Sequence, residues 1–138
     1  MENKHAIITV ENHIKVVFGV MISEDDARDI VNTIKARRRT WRVSHREKNE
    51  EFASTIGSAG EEIYEKIFDE IFNNLSWIDY SSGPFPDASR RHIPGDVWIF
   101  GLKIFEIECY LKFQDRPSGR VMWISIHEAE RPLRFPFQ

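Results

Sequence analysis

The sequence predicts an α+β protein with a helix-rich N-terminal half and an antiparallel β-rich C-terminal half. Two patterns carry this prediction. Up to about residue 75 apolar residues recur mainly at helical spacing, and from residue 96 onward β-branched and aromatic runs alternate with turn residues. A third observation concerns size. The chain has 138 residues, 41% of them hydrophobic, with ten Phe and four Trp, which suits one core and is too much aromatic surface for a disordered chain to leave in water. The expected organisation is a single domain over 1–138, helix-rich over 1–75, with a loop over 76–95 and an antiparallel sheet over 96–138 that carries helices on one face.

Taking the elements in order, Ala6–Val10 and Ile14–Val20 are β-branched runs separated by Glu11-Asn12-His13, which predicts two short strands or one bent one. Ser23 before Glu24, Asp25 and Asp26 is a hydroxyl N-cap ahead of an acidic first turn, and Ala27, Ile30, Val31 and Ile34 follow at helical spacing. A helix over about 24–38 follows. A weaker helix over about 46–56 offers only Phe52, Ala53 and Ile56 for burial. After Gly57 and Gly60, the residues Ile63, Tyr64, Ile67, Phe68, Ile71, Phe72 and Leu75 form a wide apolar stripe that should lie on the sheet. Residues 76–95 have no periodicity and read as a long surface loop. Strands are expected over Val97–Phe100, Phe105–Phe113 and Val121–Ile126, the last two joined as a hairpin through Asp115-Arg116-Pro117-Ser118-Gly119.

The function classes narrow by exclusion. The first residues lack the apolar stretch of a secretory signal and no segment reaches the roughly 18 apolar residues of a membrane span, so a cytoplasmic protein with no membrane partner is expected. Cys109 is a lone cysteine in an apolar run and reads as a buried filler. There is no P-loop, dinucleotide fingerprint, HExxH or nucleophile elbow, and the five histidines are not at zinc-site spacings, so no metal and no cofactor are expected.

The net charge of −3 hides an asymmetry. Between Lys35 and Lys48 seven Lys/Arg stand against one Glu, a local charge of +6, with Trp41 among them. Arg37, Arg38, Arg39 and Arg42 are therefore candidates for contact with nucleic acid or an acidic protein, although cations at a helix C-terminus also favour its dipole and are commonly just solvated. A second collection comprises Arg90, Arg91 and His92 in the loop, Tyr110 and Lys112 on one strand, and His127, Glu128, Arg131 and Arg134 after the next. Tyr110 and Lys112 are two apart, so they share a strand face, and the hairpin can bring them beside His127. Metal-independent RNA cleavage needs such groups: one to take the 2′-hydroxyl proton, one to protonate the leaving 5′-oxygen, and cations to stabilise the phosphorane.

Residues 75–137 resemble small bacterial toxins of toxin–antitoxin modules related to the MqsR and RelE mRNA interferases. The matching segments are Leu75-Ser76-Trp77-Ile78-Asp79-Tyr80, Gly83-Pro84-Phe85-Pro86-Asp87, Pro94-Gly95-Asp96-Val97-Trp98-Ile99-Phe100-Gly101, Tyr110-Leu111-Lys112, and the run from Ile124 to Phe137. Where the family places an Asn-Gly turn, this chain has Phe105-Glu106-Ile107. The resemblance implies a RelE-like sheet with helices on one face, endonucleolytic cleavage of messenger RNA, and neutralisation by a cognate antitoxin, which in this branch often carries a zinc-binding CxxC segment. By matched position it implies His127 as general acid or base, Tyr110 and Lys112 orienting or stabilising the phosphate, and Arg131 and Arg134 holding the RNA backbone. The competing readings are a noncatalytic RNA- or protein-binding module of the same fold and an accessory protein whose charges serve solubility. Homodimerisation stays open.

Overall fold

The computed structural model describes residues 22–57 and 60–138 in full, and 5–10 and 13–20 as backbone strands. Strands β1 (His5–Val10) and β2 (His13–Val20) pair antiparallel in a sheet of their own. The expected connection at Glu11-Asn12 lies outside the described residues.

Helix α1 (Glu24–Ala36) starts as its sequence dictates. The Ser23 hydroxyl accepts from the Asp26 N–H at 3.1 Å and the Asp26 carboxylate accepts from the Ser23 N–H at 3.1 Å, a capping box closed by Asp. Ala27, Ile30, Val31 and Ile34 are buried. A 3-10 turn over Arg38–Thr40 then leads to β3 (Arg42–Val43). Trp41, placed among cations by the sequence, is only 2% exposed: its indole N–H donates to the Ile34 carbonyl at 2.8 Å, and its ring packs on Trp123 and Phe68. Helix α2 covers Glu47–Ile56. Helix α3 covers Glu61–Asn74 and buries Ile63, Tyr64, Ile67, Phe68 and Ile71 as the stripe predicts. Phe72 leaves the stripe, 38% exposed, with the Lys35 ammonium 5.8 Å from its ring.

The main sheet runs β3-β7-β6-β5-β4, with β4 at Tyr80–Phe85, β5 at Asp96–Ile104, β6 at Ile107–Asp115 and β7 at Val121–Glu128. It is mixed where an antiparallel sheet was expected, because β3 lies parallel to β7 with Arg42 opposite Met122 and Val43 opposite Trp123. A two-residue strand has no period for the sequence to display. The expected loop over 76–95 likewise contains a 3-10 turn at Trp77–Asp79 and the edge strand β4, whose Ser-Ser-Gly-Pro core lacks alternation. Its pairing with β5 is correspondingly irregular. The strand expected from Phe105 starts two residues later. Phe105 and Glu106 instead form the β5–β6 turn at φ 48° and 68°, the left-handed pair that a tight hairpin requires.

Alternation then sorts the sheet. One face carries Phe100, Leu111, Phe113, Trp123 and Ile126 into a single core with the apolar sides of α1 and α3. Cys109 joins this core, and burial pushes its thiol up to about 12. The other face carries Gly101, Tyr110, Lys112, Ser125 and His127. Across it runs the C-terminal tail. Ala129 N–H extends the ladder to the Glu108 carbonyl, Leu133 and Phe135 pass so close to Gly101 that a Cβ there would meet them at 2.7 Å, and Phe137 reaches Trp77 and Tyr80. Among the described residues no helix is long and apolar enough to cross a membrane.

Candidate functional site

The register of one hairpin assembles the site. Tyr110 on β6 stands opposite His127 on β7, and Lys112 stands opposite Ser125, all on the face turned from α1 and α3. The Tyr110 and His127 rings stack, with centroids 5.4 Å apart and planes 22° from parallel. His127 Nδ1 lies 2.9 Å from the Glu128 carbonyl. A carbonyl can only accept, so Nδ1 carries the hydrogen and the neutral ring presents Nε2 as a base. Burial raises the Tyr110 phenol above its ordinary 10.0, against an opposing pull from the Arg46 charge.

A strand irregularity sets the other wall. Phe113 pairs with Trp123 and Lys112 with Ser125, so Ile124 is an extra residue, a β-bulge in β7. Asn49 on α2, 1% exposed, occupies that kink. Its amide donates to the Ile124 carbonyl at 2.9 Å and to the Ser44 carbonyl at 2.8 Å, and its oxygen accepts from the Ile126 N–H at 2.9 Å. The side chain thus continues the ladder where β3 stops, and α2 lies along the β7 edge with Arg46 and Lys48 beside the open face. The result is a cleft of about 820 Å³ lined by Arg46, Lys48, Tyr110, Lys112, His127 and Arg131, among others. Sequence reasoning missed Asn49 and Arg46. Asn49 falls at i, i+3, i+4 with Phe52 and Ala53, so a polar residue on the inward stripe was the available signal.

The remaining basic candidates are either engaged elsewhere or exposed away from the cleft. Arg37 pairs with Asp115. Arg38 reaches Glu65 at 2.9 Å and Asp69 at 3.2 Å while its guanidinium covers the Trp41 and Phe68 rings at 5.1 Å. Arg42 donates to the Trp41 carbonyl at 2.8 Å, and Arg39 is exposed on the 3-10 turn. Arg90 and Arg91 are exposed on the loop before β5, and Arg134 is exposed on the tail; none of the three lines the cleft. Lys48 spans the cleft mouth to Glu130 at 2.6 Å, and His45 meets Glu50 at 2.6 Å. No group of three or more His, Cys, Asp or Glu among the described residues could hold a metal ion.

No family model, no curated protein and no solved structure matches the chain.

Proposed function

We propose that this chain is a metal-independent endoribonuclease that cuts messenger RNA in the manner of a RelE-like toxin, acts in the cytoplasm, and is neutralised by a cognate antitoxin, in this branch often one with a zinc-binding CxxC segment. The observation that carries the reading is the Tyr110–His127 pair, stacked at one end of a cleft whose other side chains include Arg46, Lys112 and Arg131.

His127 Nε2 takes the proton of a 2′-hydroxyl as its oxygen attacks phosphorus. The 2′,3′-cyclic phosphate forms, the bond to the 5′-oxygen breaks, and that oxygen takes a proton from Tyr110, whose burial keeps the phenol protonated. Lys112 and Arg131 meet the charge that grows on the phosphorane oxygens. The test is cleavage of a labelled single-stranded RNA by the purified chain in the presence of a chelator. The wild type should leave cyclic phosphate ends, and His127→Gln should cut about 100-fold to 10,000-fold more slowly with an unchanged melting temperature. Equal rates would sink the role of His127. Tight binding without any cleavage by the wild type would make the chain a noncatalytic binding module.

A further inference from the structure

The cleft does not stop at Lys112. A second hollow of about 550 Å³ continues along the same sheet face and shares Arg46 and Lys112 with the first. Met122 and Ile124 give it an apolar floor, and the turn at Asp87–Ser89 walls it. The Asp87 carboxylate there is already held by the Ser89 hydroxyl and the Ile93 N–H. Gln114 closes the far end, 1% exposed and fully occupied: its amide donates to the Ile93 and Gly95 carbonyls at 2.8 and 3.0 Å, and its oxygen accepts from Arg116 Nε at 2.9 Å. That bond orients the Arg116 guanidinium and leaves its Nη groups as the donors it can offer a ligand.

The register arranges these groups in rows. Tyr110 faces His127, Lys112 faces Ser125, and Gln114 faces Met122. Rows two residues apart along a strand are separated by about 7 Å, which is close to the spacing of successive phosphates in an extended single strand. A cation stands at each row: Arg131 in the cleft beside His127, Arg46 in the middle with Lys112 shared between it and the reacting phosphate, and Arg116 at the end. Apolar side chains between the cations suit bases laid flat on the sheet.

We infer that the open face binds single-stranded RNA over three consecutive phosphates, with the reacting phosphate at His127 and Arg116 holding the phosphate two positions away. This rests on the nuclease reading for the reacting end, and the binding test is chosen so that the two can fail separately. The probe is a labelled oligouridylate of two to eight nucleotides carrying 2′-O-methyl groups, which cannot be cut, with anisotropy followed over a salt series. Affinity should rise to about four nucleotides and then level, with log K falling on log salt at a slope of about −2 for three phosphates. Arg116→Ala should weaken the tetranucleotide about tenfold and flatten the slope by about 0.7. Arg116→Lys should keep the slope, and Arg28→Ala, a charge removed from α1, should change neither.

An Arg116→Ala protein with wild-type affinity and slope would overturn the inference. So would a poly-glutamate peptide that competes as strongly as the RNA, which would assign the groove to an acidic protein segment. If this binding pattern holds and natural RNA stays whole, the groove stands and the nuclease reading falls. If RNA is cut and Arg116 is indifferent, the reverse applies.

Discussion

At Asn49 a single carboxamide answers three backbone groups, the buried Ile126 N–H and the half-buried Ser44 and Ile124 carbonyls. Asn49→Ala should cost about 3 kcal/mol, near 1 kcal/mol for each lost bond, measured by urea unfolding. A loss below about 1 kcal/mol would mean that water reaches the bulge. Since Arg46 and Lys48 ride on the same helix, the variant should also lose RNA affinity. At Tyr110 the proposed role is tested by pH. Burial disfavours the phenolate, so the proton is kept to higher pH than in a free tyrosine, and any alkaline loss of cleavage should lie above pH 10. A pH–rate profile that falls well below pH 10 would remove Tyr110 as the proton donor. The two groups that open the site were legible because side-chain alternation on a strand needs only counting. Asn49 was hidden because its partners are main-chain atoms, two of them 75 and 77 positions away, which leave no mark in a side-chain pattern.

Among the elements, the β5–β6 hairpin closes against its own residue preferences. Phe105 and Glu106 sit at positive φ without a glycine, and Phe105 is 42% exposed, so little packing repays the strain. Changing Phe105 to Asn and Glu106 to Gly should raise stability by about 1–2 kcal/mol, seen as a higher melting temperature. A decrease would show that the Phe105 ring, which lines a shallow hollow with Ile63 and Ile107, contributes more there than its exposure suggests. Helices α1 and α3 were readable because three turns of apolar spacing repeat the same signal, and the Ser23–Asp26 box marks its own start, whereas α2 showed only the short set Phe52, Ala53 and Ile56. Strands β3 and β4 were not, the first for brevity and the second for its Ser-Ser-Gly-Pro composition. The cationic run divides for a physical reason: Trp41 is core, Arg37 and Arg38 pair with carboxylates, Arg39 stays exposed, and Arg46 and Lys48 line the cleft.

For the molecule as a whole, the parallel β3–β7 pair joins positions 80 apart, Arg42 to Met122. The cleft consequently draws Arg46 and Asn49 from one half of the chain and Tyr110, His127 and Arg131 from the other. A pairing this distant must close a long loop before it gains anything, so refolding followed by Trp123 fluorescence should be slow, in milliseconds to seconds. Asn49→Ala should then speed unfolding and leave the folding rate nearly unchanged, the pattern of a contact made after the rate-limiting step. A proportionate drop in folding rate would place α2 in the nucleus.

The route of the tail over Gly101 has a further consequence for how the protein is made. On a ribosome the chain emerges in order, and β7, Arg131 and Leu133 come out after every other part of the cleft. A nascent chain that has not yet released them has no floor opposite Tyr110 and no wall beside it. Synthesis therefore acts as a clock, and the completed cleft first exists only after Leu133 has emerged.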